Sequence, residues 1–500
     1  MQYIVSGEEM QRIDACSIEQ IGIPGIVLME RAALAMAEEV VRRFPSPVSV
    51  TVVTERGNNG GDGLALGRML LEKGYPVRFY EIGGVKKASA SYETQKKILE
   101  HLDVDVEKEL PEESGIWVDA IFGVGLKREV SGIQKEVIEK MNQKTGYKIA
   151  VDIPSGVDAA TGQILGCGFQ ADLTVTFGFL KTGMVLYPGA SFCGEVEVRD
   201  IGFPRKAVET VAPGAITYTE EDLGRLPERD AHSHKGSFGR VLLIAGARNM
   251  AGAAYLSAKA AYKTGSGLVR IFTSEANREI LQTLLPEAIL TTFASEEEAL
   301  EKLPEALDWA TVVGIGPGLG ENLLTRKLLE MTLQEGKMSL VVDADGLNAL
   351  ATWKKEEPEI VQNLYEHYES GMILTPHLKE MSRLSGQSVG WIQEHLREAA
   401  GKAADRNHVF VLKDARTVVS DGGFPTYINM SGNHGMATGG SGDVLTGILC
   451  GLLAGGMQPV EAARLGVYCH GRAGDAAAEE KGCYGMQAGD LVDALPKVIR

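Results

Sequence analysis

Cysteine is scarce and scattered: six in 500 residues, at positions 16, 167, 193, 450, 469 and 483, with no pair at CxxC spacing. That excludes a zinc ribbon and leaves no disulfide framework, so a reducing compartment is expected. Basic residues are in deficit, 50 Lys and Arg against 67 Asp and Glu, for a formal net charge of −17. A protein that coats nucleic acid needs a basic face, so that class is excluded, although a local anion site is not. Long apolar runs are missing too. The longest uncharged stretch, Val444 to Val460, contains Gly447, Gly451, Gly455 and Gly456 and falls short of a membrane span; it reads as a buried helix and a turn. Glu8, Glu9, Arg12 and Asp14 stand where a secretory signal would need an apolar core. The expectation is a soluble cytoplasmic protein with no nucleic-acid or membrane partner.

Glycine, by contrast, is abundant: 60 residues of 500, well above an average near roughly 7%. It has no collagen period, which points to tight turns and close backbone approaches. Five hundred residues exceed one core, and the pattern divides accordingly. Residues 8 to 43 have helical apolar spacing. From Val48 the chain reads VSVTVVT, a glycine turn, a helix from about Asp62 to Lys73, then PVRFYEI, IWVDAIFG, KIAVDIPSG and ADLTVTFGF. Strands alternating with helices predict a mainly parallel sheet covered on both faces. Residues 202–239 weaken into a proline-containing connector with little core. A second α/β series follows, RVLLIAGA, LVRIFT, ATVVGIG, LVVDAD, MILTPH and VFVLKD, with helices near Asp443 and Val460. The predicted domains are 1–215 and 216–500, with no detectable repeat between them.

In the first half, Gly57-Asn58-Asn59-Gly60-Gly61-Asp62-Gly63 lies between a strand and a helix. Its amides suit an anion at a helix N-terminus, but the spacing is neither GxGxxG nor a P-loop. Asp119 in VDAIFG and Asp152 in VDIPSG end predicted parallel strands, the edge where α/β ligands bind. Asn59, Asp119 and Ser155 together offer oxygen ligands for a hard cation, leaving Asp152 as a candidate general base. Both aspartates equally suit caps of following turns, and the residues alone leave that open.

In the second half, Asn433-His434-Gly435-Met436-Ala437-Thr438-Gly439-Gly440-Ser441-Gly442-Asp443 runs into the apolar helix VLTGILCGLLAG. The glycines form an amide pocket for phosphate oxygens, and Asp443 beside it can take a proton from a hydroxyl. Lys413-Asp414-Ala415-Arg416-Thr417 closes a strand and opens a hairpin, with cationic and hydroxyl groups for a nucleotide. Gly318 sits in the backbone-approach loop GPGLG. His377 ends a strand, and Arg383 lies one turn into the next helix.

GNNGGDG, VDAIFG and DIPSG resemble the NAD(P)H-hydrate epimerase domain. HKGSFGRVLLIAG, GIGPGLG, TPHLKEMSRL, KDART and NHGMATGGSGDVLTG resemble the ADP- or ATP-dependent NAD(P)H-hydrate dehydratase domain. Both sets run in order across nearly the whole chain, so it resembles the fused bifunctional repair enzymes. The resemblance implies an N-terminal Rossmann-like three-layer domain followed by a ribokinase-like α/β domain. It implies epimerisation of the 6R and 6S hydrates of NADH and NADPH (NADHX and NADPHX), then dehydration of the S form at the expense of ADP or ATP, with Mg2+.

By the same resemblance, Asn59, Asp119 and Ser155 match potassium-binding positions. Asn58, Asn59, Gly60, Gly61, Asp62, Gly123, Val124, Gly125, Leu126, Lys127, Arg128, Glu129 and Asp152 match hydrate-binding positions of the epimerase. Gly318, His377, Leu378, Lys379, Glu380, Met381, Ser382, Arg383 and Asp443 match those of the dehydratase. Lys413 to Thr417 and Asn433 to Gly442 match the nucleotide site. Two departures stand out: Lys379 and Asp414 replace glycines of the family pattern, putting side chains where backbone approach is expected. Asp152 suits proton transfer and ligand contact equally. A homo-oligomer is expected. The competing reading is a ribokinase-like small-molecule kinase with a non-catalytic N-terminal binding domain, which leaves GNNGGD, VDAIFG and DIPSG without a role.

Overall fold

The computed structural model describes residues 1–83, 88–405 and 407–499. The chain divides into two compact units, Gln2–Ala215 and Ile216–Arg500, the latter with Met1.

The first unit is built on seven parallel strands in the order Val106–Glu107, Val77–Glu81, Val50–Thr54, Ile116–Ala120, Tyr147–Val151, Leu173–Phe177 and Glu195–Arg199. The central strands are apolar and β-branched on both sides, as a sheet covered on two faces requires. Val52, Val118, Val151 and Val175 pack with Leu28, Met36 and Leu64; Val53, Trp117 and Ala150 pack with Val137, Ile138 and Met141. The result is three layers. The chain order reverses between Val50–Thr54 and Ile116–Ala120, so a crevice opens at the carboxyl ends of these two strands.

The helix entering that crevice spans Asn58–Glu72. It begins four residues before the expected start, because Gly57 takes an extended conformation and its carbonyl accepts from Gly61 N at 3.1 Å. GNNGGD is therefore the helix's own first turn rather than a loop ahead of it. Gly63 and Gly67 let it press onto the sheet: a Cβ there would come within 2.5 Å of Ala120 Cβ and 2.3 Å of Phe79 Cε1.

The second unit carries seven parallel strands in the order Ile289–Phe293, Leu268–Ser274, Arg240–Ile244, Val312–Ile315, Ser339–Val342, Met372–Leu374 and His408–Leu412, continued by the antiparallel Val418–Ser420 and Thr426–Ile428. Its order reverses between Arg240–Ile244 and Val312–Ile315. Helices Ala251–Lys263, Ser441–Ala454, Pro459–Lys481 and Ala488–Val498 share a core with alternate strand residues such as Val241, Leu243, Val341 and Val411.

The segment expected as a coreless connector has more structure than its composition suggests. A helix spans Arg205–Val211, and its Ala207 and Val211 are buried with Val5, Met10 and Ile13. Among the described residues no helix is long and apolar enough to cross a membrane.

Candidate functional sites of the two units

In the first unit a cavity of about 610 Å³ opens at the sheet's reversal point. Asn58, Asn59, Asp62, Gly123, Val124, Gly125, Leu126, Lys127, Arg128 and Asp152 line it, as do Asp14 and Lys181. Gly60, Gly61 and Glu129 are not among its lining residues. Both glycines are tightly packed: a Cβ on Gly60 would lie 1.8 Å from Glu55 O, and one on Gly61 2.6 Å from Met29 Cε. Glu129 is exposed.

Asp152 follows the strand Tyr147–Val151 with φ +66°, in the left-handed region that disfavours a residue bearing Cβ. Its Oδ1 accepts from Lys181 Nζ, from Thr176 Oγ1 at 3.1 Å and from Phe177 N at 3.1 Å. Lys181 is completely buried. Burial pulls its pKa down and the Asp152 charge resists this. Burial and the same charge hold the Asp14 carboxyl above its usual range. Asp62 is pushed well above it by burial, then by Asp152 and Asp14. One cavity thus gathers the carboxyls of Asp14, Glu55, Asp62 and Asp152 with the cationic groups of Lys127, Arg128 and Lys181.

Beside it lies an oxygen-rich cluster. Asp119 is fully buried, Ser155 1% exposed and Asn59 8% exposed. Asp119 accepts from Ser155 Oγ at 2.6 Å, Ser155 N at 2.7 Å and Ile121 N at 3.2 Å. Ser155 Oγ also lies 3.3 Å from Phe122 O, and Asn59 Nδ2 is buried with no hydrogen-bond partner. Burial pushes Asp119 up to about 6 despite these bonds. A buried carboxylate with no cation beside it, ringed by neutral oxygens, suits a hard cation of low charge.

The second unit's polar centre is a pair the sequence reading does not single out. Asp343, at the end of Ser339–Val342, is 1% exposed. Its Oδ1 accepts from Lys413 Nζ at 2.6 Å and Thr375 Oγ1 at 2.7 Å, and its Oδ2 from Thr446 Oγ1 at 2.9 Å. Lys413 N donates to Pro376 O at 2.8 Å, which joins the KDART and TPH elements. Asp443 lies in the first turn of Ser441–Ala454, and no protein donor reaches its carboxylate among the described residues. Burial and then the Asp343 charge raise it to about 7, against the pull of Lys413. Glu380, beside them, is also raised to about 7 by burial.

The other expected residues are placed as follows. His377 caps the helix Leu378–Ser385: its Nδ1 accepts from Lys379 N at 3.1 Å and Glu380 N at 3.3 Å. Lys379 and Arg383 are exposed, Leu378 and Ser382 half-buried, and Met381 is buried against a separate cavity of about 460 Å³ with Tyr365 and Trp391. Gly318 has φ +61°, and its carbonyl accepts from Ala247 N at 2.6 Å. Asn433 is tied to Asp475, with Nδ2 3.1 Å from Oδ1, and receives Gly435 N at 3.0 Å. His434–Met436 forms one 3₁₀ turn, after which Ala437, Thr438, Gly439 and Gly440 lead to Ser441, whose Oγ lies 3.3 Å from Nε2 of His470. His470 is half-buried, and desolvation holds it down to about 4. In the hairpin, Arg416 Nη1 donates to Met430 O at 3.1 Å and Thr417 Oγ1 to Asp414 O at 3.2 Å. Asp414 is half-buried and raised by that burial, and Ala415 is exposed.

The missed residues had readable signals. Asp343 in LVVDAD ends a strand as Asp119 and Asp152 do, and Lys181 follows TFGF at the same edge.

The second unit is a ribokinase-like α/β enzyme. A ribokinase-like superfamily protein from Enterococcus faecalis is 29% identical with a TM-score of 0.50, covering 57% of this chain and 95% of that one. The family model described as NAD(P)H-hydrate dehydratase matches residues 241–497, and that of the YjeF-related protein N-terminus matches residues 25–183. A bifunctional NAD(P)H-hydrate repair enzyme of Moorella thermoacetica is 39% identical, covering 100% of this chain and 97% of its own length. One of Thermofilum pendens is 37% identical, covering 98% and 95%. The chain belongs to the bifunctional NAD(P)H-hydrate repair enzymes and carries both of their activities, epimerase and dehydratase.

Proposed function

We propose that Gln2–Ala215 performs the epimerisation and the unit from Ile216 the nucleotide-driven dehydration, with Asp443 as the dehydratase base. The carrying observation is the Asp443 carboxylate, half-buried at a helix N-terminus, free of protein donors and raised to about 7. Hydroxide is a poor leaving group, and phosphorylation makes it a good one. Asp443 takes the hydroxyl proton, the oxygen attacks the terminal phosphorus, and the phosphoanhydride bond breaks, releasing AMP from ADP or ADP from ATP. The ring-nitrogen lone pair then expels phosphate, and loss of the C5 proton restores the C5–C6 double bond.

Amides of Gly439 to Gly442, with Lys413 to Thr417 and Asn433 to Thr438, are assigned to the nucleotide. Gly318, His377 to Arg383 and Asp443 are assigned to the hydrate. Mg2+ enters with the phosphates: among the described residues no cluster of three His, Cys, Asp or Glu side chains forms a metal site, and this ion commonly relies on substrate phosphates. In the first unit Asn58 to Asp62, Gly123 to Glu129 and Asp152 are assigned to the hydrate, and Asp152 to proton transfer. Asn59, Asp119 and Ser155 would hold K+, which supplies fixed positive charge to the buried carboxylate. Unpaired cysteines suit a reducing, cytoplasmic setting. A homo-oligomer completes the reading, and light scattering tests it.

The test follows NADH formation at 340 nm from mixed-epimer hydrate with ADP, ATP or neither. Recovery that requires a nucleotide and vanishes in Asp443→Asn is expected. Recovery without nucleotide, or an active Asp443→Asn enzyme, would overturn the assignment. In Asp152→Asn the S epimer should be consumed at the normal rate and the R epimer only slowly.

A further inference from the structure

Lys181 is completely buried, yet its ammonium is fully occupied: Nζ donates to Thr176 Oγ1 at 2.7 Å, to Phe177 O at 3.0 Å and to Asp152 Oδ1. Among the described residues every donor that reaches Asp152 (Lys181 Nζ, Thr176 Oγ1 and Phe177 N) converges on Oδ1, and none reaches Oδ2. The pair stands in the cavity wall rather than behind it, and Asp152 keeps a left-handed backbone to be there. Asp14 and Asp62 line the same cavity, and among the described residues no cation pairs with either. Of Asp14, Asp62 and Asp152, only Asp152 is held by an ammonium among the described residues.

We propose that Lys181 is a positioning residue of the epimerase: it acts through Asp152, clamping Oδ1 so that Oδ2 is the atom turned to the hydrated ring. This rests on the reading of the first unit as the epimerase with Asp152 in proton transfer. Asp14 and Asp62 line the same cavity as carboxyls whose pKa values are raised by burial and by the Asp152 charge.

The experiment compares wild type, Lys181→Met, Lys181→Ala with and without ethylammonium, Asp152→Asn and the Lys181→Met/Asp152→Asn double variant. It measures epimerase kcat and KM in the full chain, with dehydratase rate and thermal unfolding as controls. Lys181→Met is expected to lower kcat about 100-fold, the scale of a lost acid–base contribution, with KM little changed. Ethylammonium should restore about tenfold to Lys181→Ala and nothing to Lys181→Met. In the Asp152→Asn background, Lys181→Met should cost nothing further. A rise in KM at unchanged kcat, or costs that multiply in the double variant, would overturn the positioning role while leaving Asp152 in place. An Asp152→Asn enzyme with full epimerase activity would overturn the underlying reading instead. If Lys181→Met does not fold, Thr176→Val decides, since it removes one Oδ1 donor and one acceptor of Lys181 Nζ while leaving both charges in place: reduced kcat supports the proposal and unchanged kcat overturns it.

Discussion

Asp343 and Lys413, 70 residues apart in sequence, meet as an ion pair between a buried carboxylate and a half-buried ammonium, with Nζ 2.6 Å from Oδ1. The pair joins the end of one parallel strand to the strand after next and stands beside the helix that carries Asp443. Removing one partner strands the other. Lys413→Met is expected to destabilise the second unit by ~3–5 kcal/mol, because Asp343 would keep its charge without a cation. Adding Asp343→Asn should recover most of that loss. Thermal unfolding of the three variants measures it, and a single-variant cost below about 1 kcal/mol would mean that the pair is screened like a surface one.

The same pair governs the pH dependence of dehydration. Asp443 is raised to about 7, first by burial and then by the Asp343 charge. Below that pH it is protonated and cannot accept the hydroxyl proton, so the dehydratase rate should fall on the acid side with a midpoint near 7. Asp343→Asn deletes the neighbouring negative charge and frees Lys413 to act on Asp443, and both effects move the midpoint to lower pH. Glu380 also titrates at about 7, so Glu380→Gln is the control. Loss of the acid limb in Glu380→Gln, with no shift in Asp343→Asn, would assign the limb to the wrong carboxyl.

Potassium should matter to one activity only. Among the described residues no basic side chain pairs with the buried Asp119 and Asn59 Nδ2 has no partner, so the cluster is incomplete on its own terms. Replacing K+ by tetramethylammonium is expected to lower epimerase activity at least about tenfold, a loss of ~1.4 kcal/mol, with the dehydratase rate unchanged. Asp119→Asn should abolish the potassium response. An epimerase indifferent to the cation would refute the site.

Much of this was legible in the chain. The strands at VTVVT, IWVDA and YKIAV follow from unbroken apolar runs, and the ends of those runs mark the ligand edge of each sheet. The glycine pattern of GGSGD likewise announces a helix N-terminus. Pairings across distance were not legible. Nothing local says that Asp343 finds Lys413, or that Lys181 turns back beneath Asp152, because sheet order decides both. Gly60 and Gly61 show another limit: a glycine needed for close packing looks the same in sequence as one needed for a ligand.

The glycines before Asp443 allow that ambiguity to be resolved. Gly440 has φ +95°, and a Cβ there would meet Leu256 Cδ1 at 2.5 Å, so Gly440→Ala should cost about 1–3 kcal/mol of stability. At Gly442 the added Cβ finds only ordinary contacts, 3.4 Å from Lys413 Nζ and 3.7 Å from Asp343 Oδ2, and φ is not left-handed. Gly442→Ala should therefore keep or slightly raise stability, since alanine favours a helix. Its methyl nevertheless projects between Lys413 and the helix N-terminus, the space assigned to a phosphoryl group. Nucleotide KM is expected to rise at least about tenfold, or ~1.4 kcal/mol of binding, with unfolding unchanged. Calorimetric titration of ADP into the two variants separates the effects. Wild-type affinity in a stable Gly442→Ala protein would move the phosphate away from this row of amides.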